Sequence, residues 1–159
     1  MKRLLIGMML AAASVPACFQ SYHVLTPAEL EQRGTRTYRD LAVDNAVTAA
    51  SNALRVLGFE VVVADVATRT IKTGPHKIML INATAEEQAT TRDEIVWVLR
   101  FDDGPGGAIV VHAQLRGFHN GEEVGPDRIV AEVVDPQFAA LWREVDAEIA
   151  RLHGTAATR

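Results

Sequence analysis

The chain has 159 residues and carries 20 acidic against 16 basic side chains, a formal net charge of −4 at pH 7. This length suits one domain with a real hydrophobic core once a leader has been removed. The acidic balance and the scattered Lys and Arg residues argue against nucleic-acid binding, which needs clustered positive charge. No apolar run after residue 18 is long enough to span a bilayer.

The first eighteen residues have the pattern of an export signal. Lys2 and Arg3 precede an apolar stretch over residues 4–13, and small residues then lead to Cys18, the single cysteine of the chain. The apolar stretch is too short for a transmembrane helix. The pattern predicts a signal peptide over residues 1–17 and a mature chain that begins at Cys18, with a net charge of about −6.

The residues Val15, Pro16 and Ala17 before Cys18 resemble a bacterial lipobox, with Pro16 in place of the small residue usual there. The resemblance implies that Cys18 is lipidated, and Phe19 in place of Asp implies transport to the outer membrane. A lone cysteine cannot form an internal disulfide, which also favours a special role. The alternative is a secretory signal that the general peptidase cuts at the same bond, which would leave a soluble periplasmic protein.

A tether with one short helix is predicted over residues 18–34. Thr26 suits the N-cap, Pro27 suits the first helical position, and Glu29 completes a capping box with Thr26. These signals predict a helix over 27–33 that stiffens the tether or docks it on the domain.

A single α+β domain is predicted over residues 35–154, followed by a disordered tail at 155–159. It opens with a short strand over Thr35–Tyr38, which is rich in β-branched and aromatic residues. Apolar residues at helical spacing then predict a long helix that ends at Gly58. Its stripe consists of Val43, Ala46, Val47, Ala50, Leu54 and Leu57.

A run of antiparallel strands is predicted after this helix. A Gly-rich hairpin turn over residues 102–107 joins the last two strands, whereas a phosphate-binding loop would open a helix. The last strand alternates apolar and polar residues, so the sheet is expected to be covered on one side only. The predicted strands are Phe59–Ala64, Thr68–Thr73, Lys77–Asn82, Glu94–Phe101 and Ala108–Phe118.

The end of the domain is predicted to hold a turn, an edge strand and a closing helix. Asn120 and Gly121 suit a turn, and 129–134 is expected to add the edge strand. Asp135 is predicted to cap the closing helix, with Pro136 at its first position and Gly154 at its end. The inward stripe of this helix is predicted to consist of Phe138, Trp142, Val145, Ile149 and Leu152.

This order of elements predicts an α+β fold. We expect a two-layer sandwich, an antiparallel sheet with helices packed on one face, approximately β-α-β4-α.

Several segments of the domain have distinctive sequences: Thr35–Tyr38, Ala53–Phe59, Glu60–Val63, Asp135–Phe138 and Leu141–Trp142. Together they resemble a group of small, uncharacterised proteobacterial lipoproteins over residues 35–152. These motifs are structural, so the resemblance implies no catalytic residues. The predicted topology is also similar to the helix-grip domains of an accessory lipoprotein of the outer-membrane β-barrel assembly machine, an analogy of fold alone.

Nucleophilic and metal chemistry have little support in the sequence. Ser21 and Ser51 are the serines that remain after cleavage, and neither lies in a Gly-x-Ser-x-Gly pattern. His112 and His119 are seven residues apart, so on one strand they would point to opposite faces. There is also no His-Glu-x-x-His pattern. We therefore predict no metal, no cofactor and no enzymatic activity.

The polar face of the last strand is the candidate binding surface. It is predicted to present His112, Gln114 and Arg116, with Trp97 or Val98 of a neighbouring strand on the same side. An ordinary solvated face would have the same pattern. Trp97 itself falls within an apolar stripe, which favours a place in the core.

The sequence therefore predicts an outer-membrane lipoprotein that faces the periplasm. Its non-catalytic domain would bind an envelope protein or another envelope component through the sheet face or an edge strand. The alternative is a soluble periplasmic small-ligand-binding protein or enzyme with a site on the open sheet face. A deep pocket that gathers His112, Arg116 and a carboxylate would favour the alternative, whereas a shallow polar sheet would favour the lipoprotein with a binding domain.

Overall fold

The computed structural model describes residues 23–78, 93–125 and 129–156, so the predicted signal peptide and Cys18 lie outside the described residues. In chain order the elements are α1 (Pro27–Gly34), β1 (Thr35–Tyr38), α2 (Val43–Val56), β2 (Val61–Asp65), β3 (Thr70–Thr73), β4 (His76–Lys77), β5 (Asp93–Asp103), β6 (Ile109–His119), β7 (Glu122–Glu123) and α3 (Ala131–Ala156). A 3₁₀ turn, Pro105–Gly107, lies between β5 and β6.

The strands form one antiparallel sheet in the order β1-β6-β5-β3-β2. On the same side of β5, β3 pairs with residues 98–100 and β4 pairs with Glu94 and Ile95. β7 pairs with Phe118 and His119 of β6, beyond the part of β6 that pairs with β1. The central pair, β5 and β6, is in register from Asp93 opposite His119 to Asp103 opposite Ile109. The hairpin turn between these strands is the predicted one, with glycines that adopt left-handed backbone angles.

α2 and α3 pack together on one face of the sheet. Trp97, at the centre of β5, is fully buried there, and its ring meets that of Phe138 of α3 edge-on with 5.1 Å between centroids. Along β6, side chains alternate between this core and a more exposed outer face. The predicted two-layer α+β sandwich with helices on one face is confirmed.

Residues 23–34 belong to the folded domain. Leu25 is buried in the core, and its N–H donates to the segment before α3 at 2.9 Å. α1 begins with the predicted capping box, in which the Thr26 hydroxyl accepts from the Glu29 N–H and the Glu29 carboxylate accepts from the Thr26 N–H. The sequence predicts that the domain begins at Thr35, whereas the folded domain already includes residues 23–34.

The capping box makes folding sensitive to acid. The Thr26 N–H donates to the Glu29 carboxylate and lowers the pKa of Glu29 from 4.5 to about 2, with further help from the Thr26 hydroxyl and His23. A pKa that is lower in the folded state contributes stability above about pH 4.5, and this contribution is lost as the pH falls toward 2. We expect the difference in free energy of unfolding between the wild type and Glu29→Gln to shrink as the pH falls over this range. Urea unfolding at a series of pH values measures this difference. A gap that does not depend on pH would contradict the assignment.

Residues 129–134 do not form the predicted edge strand. Val130 makes one isolated bridge near the start of the described chain, and α3 begins at the next residue, Ala131. The reason is the core: Val134 is buried and lies one helical turn before Phe138, so it extends the apolar stripe of the helix. Burial of this stripe outweighs the strand preference of the β-branched residues.

Asp135 and Pro136 do not start the closing helix, contrary to the prediction. Pro136 is the sixth residue of α3, where its ring removes one helical hydrogen bond. Asp135 instead accepts a hydrogen bond from the side chain of Arg33, at the end of α1. The pair ties α1 to α3.

Two other predicted bounds change. α3 continues through Gly154 to Ala156, so a helix end at Gly154 and a disordered tail from residue 155 are wrong at these positions. Of the predicted strand 77–82, the structure has β4 over His76–Lys77, and residues from 79 onward lie outside the described part.

Candidate functional site

Strand register builds a polar row across the outer face of the sheet. Arg100 of β5 lies opposite Thr70 of β3 on one side and opposite His112 of β6 on the other. His112 in turn lies opposite Thr35 of β1. Since directly opposite residues have Cβ atoms about 5 Å apart, these four side chains form one continuous strip.

The next row of paired residues along the strands shows which side chains share the outer face. Val98 lies opposite Lys72 and Gln114, on the same side as the polar strip. Trp97 lies opposite Leu115 on the core side. The prediction that Trp97 is a core residue is therefore confirmed, and Val98 is the residue that accompanies the predicted binding face.

A cleft of about 530 Å³ opens along the edge of β6, between α1 and β7. β1 pairs with β6 up to His112 and β7 pairs from Phe118 onward, so no described strand pairs with 113–116 on this side. We call this opening the β6 cleft. Its lining includes Leu30 and Glu31 of α1, Val98 and Arg100 of β5, His112, Gln114 and Arg116 of β6, Glu123 and Val124 after the turn, and Phe138 of α3.

Gly34 sets the position of the α1 wall. A Cβ atom at Gly34 would lie 2.1 Å from the carbonyl oxygen of Ala113 and 3.3 Å from the ring of Phe138. Real Cβ atoms do not approach backbone oxygen so closely, so this site requires glycine. The absence of a side chain lets the end of α1 rest directly on β6.

Arg116 lines the cleft with its charge already neutralised. Its guanidinium donates to both carboxylate oxygens of Glu123, at 2.7 and 2.5 Å, and lies 5.6 Å from the ring centroid of Phe118. The pair raises the pKa of Arg116 and lowers that of Glu123. Arg116 therefore shapes the wall of the cleft and holds β7 in place.

His112 also has partners within the fold. Its Nδ1 lies 3.3 Å from the Thr35 hydroxyl, and its Nε2 lies 3.6 Å from a carboxylate oxygen of Asp102. His119 lies on the other face, where Nδ1 is 2.9 Å from Asp93. The two histidines point to opposite faces, as predicted. In the described ranges, no group of three His, Cys, Asp or Glu residues is placed to hold a metal ion.

Two charged groups of the cleft have no ion-pair partner in the described part of the chain. Arg100 is exposed on the strand floor, and Glu31 is exposed on the helical wall. Among the described residues, neither comes within 4 Å of an opposite charge, including each other. The exposed amide of Gln114 lies in the same cleft. The cleft thus presents one cation and one anion that remain available to a ligand.

Sequence reasoning found His112, Gln114 and Arg116 but missed Arg100 and Glu31. A signal for Arg100 existed, because the short turn between β5 and β6 fixes their register and places Arg100 opposite His112. Glu31 had no such signal, because its position depends on how α1 docks against the sheet.

The edge of the sheet formed by β2 is a second exposed surface. β2 ends the sheet and exposes Val62 and Val63 to solvent, with a bulge between Val61 and Val63. A bulge disfavours pairing with a further strand, whereas exposed valines favour it.

Comparison with known proteins provides no family for this chain. No protein-family model matches it, and no curated protein matches it. None of the described helices combines the length and apolar character needed to cross a membrane. The class that the fold defines is a two-layer α+β sandwich with a cleft of mixed polar and apolar lining along β6, and function must be inferred from the chemistry of that cleft.

Proposed function

We propose that this protein is a bacterial envelope lipoprotein, anchored through Cys18 to the outer membrane and facing the periplasm. The lipobox-like residues 15–18 and the single cysteine support the anchor. One acyl chain binds a membrane only marginally, whereas several hold a protein firmly. The lipoprotein modification supplies three chains, and Phe19 after the cysteine supports transport to the outer membrane.

The domain is proposed to be a non-catalytic module that binds a small ligand, and the β6 cleft is the observation that carries this half of the proposal. The cleft gathers His112, Arg116 and the carboxylate of Glu123, the arrangement that favours the small-ligand alternative over a sheet face that binds a protein. Its volume lies within the range of small-molecule sites, and its polar groups come from both the sheet and α1. Its described lining residues include no Ser, Cys or Lys that could act as a nucleophile. Arginine, glutamate and glutamine are suited to binding and orienting a ligand.

Fractionation of cells tests the anchor. We expect the wild-type protein to sediment with membranes and to resist extraction by high salt, and Cys18→Ser to appear in the soluble periplasmic fraction. The double variant Cys18→Ser/Ser21→Cys is the matched control: its thiol lies outside the lipobox position, so it should also be soluble. A wild-type protein that is soluble, or a Cys18→Ser protein that stays on membranes, would contradict the anchor.

A second candidate is an enzyme on the same face, the alternative to a binding module. Thr35, His112 and Asp102 follow one another at 3.3 and 3.6 Å, in the order of a nucleophile, a base and an orienting carboxylate. The threonine is a weak nucleophile, and 3.6 Å exceeds hydrogen-bond length. Turnover of activated esters that is lost in Thr35→Val would favour the enzyme, and its absence in the wild type would favour the binding module.

A further inference from the structure

The chain brings the β6 cleft close to the proposed anchor. The fold begins no later than His23, whose carbonyl accepts a hydrogen bond from the Ala131 N–H at 2.8 Å. Five peptide steps separate His23 from Cys18, and each step spans at most about 3.5 Å, so the two residues lie within roughly 18 Å of each other. α1, which forms one wall of the cleft, begins four residues further along, at Pro27. If Cys18 is acylated, the cleft is therefore held near the bilayer surface.

The lining of the cleft combines two unpaired charges of opposite sign with apolar surface. Arg100 offers a guanidinium, which matches phosphate and carboxylate oxygens with paired N–H groups. Glu31 offers a carboxylate on the helical wall, suited to an ammonium group. The apolar side chains that line the same cleft include Leu30, Val98, Val124, Ile129 and Phe138. A ligand that uses all three features carries an anion, a cation and an apolar body.

We propose that the β6 cleft binds an amphiphile with a zwitterionic head group, of the kind that ethanolamine phospholipids present. Its phosphate pairs with Arg100, its ammonium group pairs with Glu31, and the start of its acyl chain lies on the apolar side chains. The assignment rests on the proposed function for its source of ligand, the membrane beside the anchor. Gln114, the exposed amide of the cleft, donates a further hydrogen bond to the head group.

Calorimetric titration of the full chain carrying Cys18→Ser tests this assignment, because no acyl chain of the protein can then compete for the cleft. The probe is a short-chain lysophosphatidylethanolamine, used below its micelle concentration. We expect it to bind at least about tenfold more tightly than three probes that lack part of this chemistry: dodecyl maltoside has no charge, dodecyl phosphate has no ammonium group, and free phosphoethanolamine has no apolar chain. Equal binding of the maltoside would overturn the proposal. Equal binding of free phosphoethanolamine would assign the cleft to a soluble ligand and overturn the lipid source.

Two charge-removing variants locate the binding site. Arg100→Gln and Glu31→Gln should each weaken binding of the lysolipid about tenfold, and Glu31→Gln should leave binding of dodecyl phosphate unchanged. Arg143→Gln is the matched control, since Arg143 is an exposed arginine of α3 that pairs with Glu144. Unchanged affinity in both cleft variants would overturn the assignment. The titration involves no membrane, so its failure would leave the lipid anchor standing, and an unlipidated Cys18 would leave its result intact.

Discussion

Replacement of Trp97 by alanine is expected to lower the free energy of unfolding by about 4 kcal/mol. The side chain is fully buried on the core face of the central strand, where it packs against α3. Its ring meets that of Phe138 edge-on at 5.1 Å and that of Phe59 at 6.5 Å between centroids. The variant leaves a large cavity between sheet and helices, and urea unfolding measures the loss.

Two companion variants make this test specific. Val98→Ala is the matched control on the outer face of the same strand, and we expect it to cost under about 1 kcal/mol because Val98 is only partly buried. Trp97→Phe should cost much less than Trp97→Ala, since the buried Nε1 has no hydrogen-bond partner in the described structure. Equal losses for Trp97→Ala and Val98→Ala would contradict the assignment of the two faces.

Replacement of Gly34 by alanine is expected to cost about 3 kcal/mol, an unusually large effect for one added methyl group. The new Cβ atom would lie 2.1 Å from the carbonyl oxygen of Ala113, so either α1 or β6 must move. Because α1 forms a wall of the β6 cleft, the same variant should also weaken ligand binding there. Urea unfolding and the lysolipid titration measure the two effects separately.

Gly117→Ala is the matched control for this prediction, on the same strand, β6. A Cβ atom at Gly117 meets the Val124 side chain at 3.7 Å, an ordinary contact. We expect it to change stability by less than about 1 kcal/mol. If Gly34→Ala were as mild as Gly117→Ala, α1 would not rest on β6 as described.

Local sequence signals correctly predicted the elements that are determined by contacts and backbone angles within a few residues of the chain. Thr26 and Glu29 form the capping box of α1 by direct contact, three residues apart. The hairpin between β5 and β6 follows from glycines at positions with left-handed backbone angles, and the apolar stripe of α2 follows from its spacing. In each case the cause lies within a few residues, so sequence alone sufficed.

Tertiary contacts decided the features that the sequence did not predict. Pro136 is a usual sign of a helix start, yet burial of Val134 against the core extends α3 upstream of it. The place of Glu31 in the cleft depends on the contact of Gly34 with Ala113, residues far apart in the chain. The sequence therefore predicted the binding-face residues of β6. The unpaired charges of the cleft, Arg100 and Glu31, depend on how β5 and α1 lie beside β6.

The intact mass of the mature protein, purified from membranes beside Cys18→Ser, tests the central claim that Cys18 holds this binding domain at the membrane. We predict a chain that begins at Cys18 and is heavier than its polypeptide by three acyl chains and a glycerol, with the whole addition lost in the variant. An unmodified chain beginning at residue 18 would contradict the claim and identify a soluble exported protein.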